Sequence, residues 1–378
     1  MFLLRQIERF TFTCKLWHLA AALFAVMIFK TGIWAYPSQD MFLRIARDPF
    51  VNPFTHPNDH YLLWNWLGPF VAWWIGATDA TSYFLLNLAL ALAFTGLFVR
   101  LAILRLADRQ ARLALVFFFV LPVSATPYFW VGYDSLTLFL MVLALYWPRR
   151  PAVVFAIGVA LGLQHFEQGL FASGGLLLAR LLARRQGHDD RAPLESIGFP
   201  LALLGGVVVG KLALFAVFAQ AGVVVNSGRF VWLVAHLDSM LLNFASSWFF
   251  VVYAIFGIGW LLALSYLDRG RQAWPFFAGL LSILCLLPVV EDSTRVFAIT
   301  AFPLICAFWL LDDGFLASFT DRAVAVVLGV WLCVPWLWAW GGVPQLGVFF
   351  YDVQYLAHAV TGWPELPGDL RLWPFRAP

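Results

Sequence analysis

Apolar residues run along this chain in long, nearly unbroken blocks, separated by short polar interruptions. The first block, Leu16 to Tyr36, is followed by a polar stretch from Ser38 to His60. Further blocks predict helices at about 16–36, 81–104, 112–128, 134–148, 151–165, 168–183, 197–221, 241–267, 273–290, 295–311 and 322–341. Most approach the ~20 residues that an α-helix needs to cross a bilayer. The blocks are continuous rather than alternating, which argues against a transmembrane β-barrel. The expected fold class is an all-α polytopic membrane protein of about eleven spans. No internal repeat is visible, and the whole chain, 1–378, is expected to form a single transmembrane domain.

Composition agrees: 62% of the 378 residues are hydrophobic and 12% are charged, far from the balance of a soluble domain. The net charge of +3 reflects basic turns and points to no nucleic acid. Cys14, Cys285, Cys306 and Cys333 lie in or beside apolar stretches without metal-ligand spacing, and read as small buried hydrophobes. Arg5, Arg9 and Lys15 precede the first block, but the block is long for a signal core and no small-x-small site follows. It reads as an uncleaved first span.

Charge orients the spans, because Lys and Arg concentrate in cytoplasmic loops. Arg105/Arg109/Arg112, Arg149/Arg150, Arg184/Arg185/Arg191, Arg269/Arg271 and Arg322 then fall on the inner side. The N-terminus is cytoplasmic and the C-terminus outside, as in a multi-pass protein of a bacterial inner membrane. Trp64 to Ala77 is apolar enough to tempt a second span. Counting it would strand the first arginine cluster outside, so Tyr61 to Gly76 is placed in the outer interface or as a re-entrant segment. Its indoles, Trp64, Trp66, Trp73 and Trp74, suit the headgroup level. Segment 37–80 becomes a large outer loop with interfacial helices, 222–240 a second outer segment, and 342–378 an outer interfacial tail.

The remaining polar residues gather on that outer side. They are Asp40, Asp48, His56, Asp59 and His60; Tyr133 and Asp134; Gln164, His165, Glu167 and Gln168; Arg229, His236 and Asp238; Glu291, Asp292 and Arg295. Ionisable groups near membrane depth are costly and mark function or pair with one another. Each also has a bland reading. Asp40 solvates a loop or acts as a base. Asp48-Pro49 starts a turn or caps a helix, Asp59 caps the aromatic segment, and Asp134 caps its own helix. Arg295 pairs with Asp292 or Glu291, or it binds phosphate, as does Arg229; the planar guanidinium fork matches phosphate oxygens. Arg44 and Arg47 reach the headgroup region. Lys30 snorkels from near the outer end of the first span, and Lys211, deeper, requires a carboxylate or carbonyl partner.

A large first outer loop with interfacial helices, an acidic residue shortly after the first span (Asp40) and the outer turn Pro127-Tyr128-Phe129-Trp130-Val131-Gly132-Tyr133-Asp134-Ser135-Leu136-Thr137 together resemble the GT-C superfamily of integral-membrane glycosyltransferases. The likeness covers the topology of most of the chain. Many members carry Asp-Glu or Glu-x-Asp in the first loop, where this chain has a lone Asp40 with Asp48 eight residues on.

The resemblance implies transfer of a sugar from a polyprenyl-phosphate donor, embedded in the bilayer, to a glycan, lipid or protein acceptor at the outer face. Asp40 would be the general base. Arg295 and Arg229 would bind the lipid phosphate. Asp48, Asp59, His60, Tyr133, Asp134, Gln164, His165, Glu167 and Asp292 would contact substrate. Some relatives use a divalent metal, Mg or Mn; Asp40 with His56, Asp59 or His60 would be its ligands here, although their spacing fits no standard site. The competing classes are a transporter or flippase for a lipid-linked or polar substrate, favoured by mid-depth charges and inverted repeats, and a glycan polymerase or ligase, which would place its large outer loop late in the chain.

Overall fold

The fold comes from a computed structural model that describes residues 2–187, 194, 196–225, 229–340 and 343–346. It is built of helices throughout apart from one short hairpin. In chain order these are α1 (Phe2–Thr13), α2 (Leu16–Thr31), α3 (Gln39–Arg47), α4 (Leu67–Trp74), α5 (Ala80–Arg105), α6 (Asp108–Val120), α7 (Pro122–Phe129) and α8 (Asp134–Tyr146). Then come α9 (Pro151–Arg185), α10 (Gly198–Ala221), α11 (Arg229–Phe256), α12 (Trp260–Leu267), α13 (Trp274–Leu284), α14 (Ser293–Ile305), α15 (Asp313–Ala317) and α16 (Asp321–Cys333). Strands β1 (Leu337–Trp340) and β2 (Val343–Leu346) pair antiparallel. Among the described residues, six helical segments are long and apolar enough to cross a membrane, or seven if the bent α6–α7 pair is one span.

Local chemistry sets the boundaries. Asp79 accepts the amides of Thr81 and Ser82 to start α5, and Thr320 accepts that of Ala323 to start α16, satisfying donors that a helix N-terminus leaves open. Hydrogen bonding by Ser82 holds the Asp79 carboxyl below its ordinary range. Pro122 removes an amide donor between α6 and α7, and the two axes bend by 49°. Gly32, at φ 78°, ends α2 in a conformation that favours glycine.

Three expectations change, and residues 61–76, expected as an interfacial or re-entrant segment, form no span. The first span ends at Thr31 rather than 36, and Trp34 and Tyr36 pair instead with Tyr128 and Val131. The last helix stops at Cys333, because Pro335 follows and the chain turns into β1. The segment 222–240 is already helical from Arg229, where neither Gly nor Pro interrupts the pattern through Phe256. Residues 61–76 are broken into a 3-10 turn, Pro57–Trp64, and the eight-residue α4. At 1.5 Å per residue α4 covers about 12 Å, too little for the ~30 Å hydrocarbon core.

Helix α9 folds back on itself. The backbone of His165 is extended, at φ −160° and ψ 86°, which splits the helix into two halves. A Cβ placed on Gly169 would lie 3.6 Å from that of Leu161, and Arg150 and Arg180 line one cavity. A straight helix would hold those two arginines about 45 Å apart. The first half packs on α10 through Gly158 and Gly162, facing Gly206 and Gly210. A Cβ at Gly162 would fall 2.2 Å from the Val207 carbonyl oxygen, and one at Gly206 2.2 Å from that of Phe155. Small residues four apart on both helices permit this approach, the packing that membrane helices use where water offers no hydrophobic drive.

The bundle has two chemically distinct ends. At one, Arg109 pairs with Asp321, Arg269 with Asp312, and buried Arg112 donates to the Thr11 and Cys14 carbonyls. At the other lie Tyr133–Asp134, Gln164–Gln168 and Asp292–Arg295. The first long loop packs on this second end with a small core of its own. Phe42, Ile45, Leu63 and Trp66 join Leu214 and Phe218 of α10.

Candidate functional site

Three polar clusters, far apart in sequence, meet at one buried centre. Asp134 opens α8 but does not cap it. Its Oδ2 takes an ion pair from Arg295 Nη1, and its Oδ1 accepts Gln168 Nε2 at 3.1 Å. Arg295 Nε pairs with Asp292 Oδ2, and Nη1 also donates to the Tyr133 hydroxyl at 2.8 Å. Asp292 caps α14 by accepting the Arg295 amide at 3.3 Å. The side chains of Asp134, Asp292 and Arg295 are 3%, 8% and 11% exposed. One guanidinium is thus shared by two buried carboxylates. Burial pushes the Asp292 carboxyl up to about 6, against the pull of Arg295.

A belt of polar bonds ties this centre to the loop. Gln164 Nε2 donates to the Tyr133 carbonyl at 2.8 Å, and its Oε1 accepts the Gly68 amide at 2.7 Å. His165 is buried, stacks on Tyr133 at 6.1 Å between ring centroids, and sits 3.4 Å from the Glu167 carboxylate. Aromatic faces complete the wall. The Arg295 guanidinium carbon lies 5.5 Å from the Tyr36 ring centre and 5.4 Å from that of Tyr133, within cation–π range. Phe42 of α3 packs on Tyr133 at 4.4 Å. β1 covers the far side, where the Ala339 amide donates to Thr294.

Asp40 stands in the first turn of α3, two residues before Phe42, and is exposed. Arg44 and Arg47 share its exposed side, while Phe42, Leu43, Ile45 and Ala46 are buried. Among the described residues Asp40, Arg44 and Arg47 form no hydrogen bond or ion pair with one another. Asp40 is thus an accessible carboxylate, as are Glu291 and, in part, Glu167, whereas Asp134 and Asp292 are held in ion pairs.

The other expected site residues divide. Asp48 accepts the Phe50 amide at 3.0 Å and makes a turn. The 3-10 turn is capped by His56, not Asp59, because the His56 ring accepts the Asn58 amide at 3.3 Å. His60 is buried with Nε2 3.2 Å from the Phe54 carbonyl. Arg229 begins α11, and its side chain lies outside the described residues. Among the described residues no three His, Cys, Asp or Glu gather to hold one metal ion.

The expectation that Arg295 binds lipid phosphate meets a competing arrangement, because Asp134 and Asp292 already hold the guanidinium. With both carboxylates ionised the cluster carries a net −1, and opposed unit charges near 4 Å are worth about 4 kcal/mol each at an effective dielectric of 20. An arriving phosphate would have to displace a carboxylate. Lys30 and Lys211 are also placed. Lys30 donates to the Trp331 and Val334 carbonyls, the latter at 2.6 Å, and Lys211 lies 3.7 Å from the Trp64 ring centre with Phe166 and Phe215 beside it. Tyr36 and Phe42 escaped the sequence reading as parts of the centre. The proximity of Tyr36 to Asp40 was the available clue.

Comparison of the chain with protein-family models, with curated proteins and with solved structures gives no match.

Proposed function

We propose that this protein is an integral-membrane glycosyltransferase of the GT-C type, with eleven membrane segments and the polar centre on the outer face. In that reading the two halves of α9, the bent α6–α7 pair and the shorter α2, α8 and α16 are spans beside the other five long segments, and the arginine-rich end is cytoplasmic. The observation that carries it is the convergence of Tyr133–Asp134, Gln164–Gln168 and Asp292–Arg295 beneath the loop helix that presents Asp40.

The chemistry is a single displacement. Asp40 takes the proton of the acceptor hydroxyl as it attacks the anomeric carbon, and the polyprenyl phosphate leaves. Accessibility selects Asp40, because a base must reach the acceptor and Asp134 is held by a guanidinium and an amide. Arg44 and Arg47, exposed on the same helix, supply positive charge to the leaving phosphate in place of Arg295. Arg295 is a positioning residue, fixing Tyr133 and Asp134. Glu167 with His165 orients sugar hydroxyls.

Transfer of labelled sugar from a polyprenyl-phosphate donor tests this. Asp40→Asn should abolish transfer without changing the unfolding midpoint, and Arg44→Gln/Arg47→Gln should raise the donor concentration needed. Native activity in Asp40→Asn would remove Asp40 as base.

A further inference from the structure

The buried centre holds one negative charge too many. Asp134 and Asp292 share the single guanidinium of Arg295, so with both carboxylates ionised the three sum to −1. Among the described residues no other basic side chain pairs with either carboxylate. An uncompensated charge out of reach of water is costly, and it is relieved by a proton or by a second cation. Burial pushes the Asp292 carboxyl up to about 6, so above neutral pH the proton leaves and the excess charge is present.

Oxygen atoms without partners lie beside that charge. Arg295 takes Asp134 Oδ2, and Gln168 Nε2 reaches Oδ1 at 3.1 Å. The same amide carries Gln168 Oε1, which is buried and, among the described residues, accepts no hydrogen bond. Thr137 lies three residues after Asp134, on the same side of α8. Its hydroxyl is 0% exposed and likewise unpartnered, as is that of Ser135. A buried polar group left unpaired costs about 1–3 kcal/mol, so three of them next to one surplus negative charge point to a ligand. A half-turn of the Gln168 amide exchanges its two ends and sets Oε1 against Asp134 Oδ1, an arrangement that a cation between the two oxygens makes favourable.

We propose that the start of α8 and the break in α9 bind a monovalent alkali cation, such as sodium, between Asp134 Oδ1, Gln168 Oε1 and the Thr137 hydroxyl, with Ser135 as a further oxygen donor. Hard cations take oxygen ligands. One positive charge brings the cluster to neutrality, where a divalent ion would overshoot it. The bound ion ties the N-terminus of α8 to the second half of α9 and so steadies the backbone that carries Tyr133 and His165. The proposal is independent of the transferase reading.

The test uses the purified full chain in detergent at pH 8. Its unfolding midpoint is followed against sodium chloride, with choline chloride and calcium chloride at matched ionic strength. Sodium should raise the midpoint saturably and beyond choline, and calcium should not exceed sodium. Thr137→Val keeps the outline of the side chain and removes one ligand oxygen. Its apparent sodium affinity should fall at least about tenfold. In choline its midpoint should equal or exceed the native one, because a buried hydroxyl without a partner is gone. Asp134→Asn, which neutralises the cluster by itself, should lose the sodium response; Thr137→Val still decides the matter where that variant fails to fold. Equal midpoints in sodium and choline, a stronger response to calcium, or a native sodium response in Thr137→Val would overturn the proposal.

Discussion

Replacing Arg295 with leucine isolates two buried carboxylates. Asp134 and Asp292, 3% and 8% exposed, lose the guanidinium they share. Breaking a buried ion pair from one side costs about 3–5 kcal/mol, because the charge left behind cannot reach water. Gln168 still donates to Asp134, and Asp292 still sits at the N-terminus of α14, so Arg295→Leu belongs near the lower figure. The loss also has a pH signature. In the native protein the Asp292 carboxyl is raised from 3.8 to about 6. A raised carboxyl stabilises fully below its unfolded value, and that contribution is gone once pH passes the folded value. Without Arg295 the upper edge of the window moves higher, since the guanidinium that favoured the charged form is gone and only the cap hydrogen bond remains. The deficit of Arg295→Leu relative to the native protein should therefore be smaller at pH 5 than at pH 8. Denaturant unfolding of detergent-purified protein at both pH values reads this directly. Adding Asp134→Asn and Asp292→Asn to Arg295→Leu should restore most of the loss. A deficit below about 1 kcal/mol at both pH values would refute the buried cluster and favour an Arg295 that faces substrate.

Other consequences follow from separate features. Asp292→Asn keeps a capping oxygen but cannot titrate, so the stability gained by the native protein between pH 7 and pH 5 should flatten in that variant. Gly162→Ala would press a methyl group 2.2 Å from the Val207 carbonyl and should lower stability by about 1–3 kcal/mol, whereas Gly96→Ala, where nothing lies within 4 Å, should be neutral or better in the same unfolding assay. Lys30→Met removes two hydrogen bonds to the end of α16 and should cost about 1–3 kcal/mol, with thermal unfolding as the measure.

Hydropathy located the helices well, because burial in lipid imposes long apolar runs that a single sequence displays. Charge sorted the ends for a similar reason: Arg105, Arg150 and Arg269 do share one end with Asp312, and Asp134, Gln164 and Arg295 share the other. What was not legible depends on backbone detail. The polar pause between the runs 151–165 and 168–183 did announce the break at His165, but the stop at Cys333 overrode an apolar run that continued past it. Partnerships were hidden too. Arg295 had an evident neighbour in Asp292, three residues back, but its bond to Asp134 spans 161 residues, and no local pattern announces it. That unseen carboxylate is what places Arg295 in a buried ion-pair cluster. Asp48 and His60 looked like site residues because they are polar in an apolar chain. Their contacts with the loop's own backbone were not visible in that pattern.

The most direct test of a transferase centred on Asp40 is sugar transfer by the purified protein in nanodiscs, from radiolabelled polyprenyl-phosphate monosaccharides to an acceptor mixture extracted from the same membranes. The account predicts labelled product with the native chain and none with Asp40→Asn, at equal unfolding midpoints. Product formed at the native rate by Asp40→Asn would contradict it.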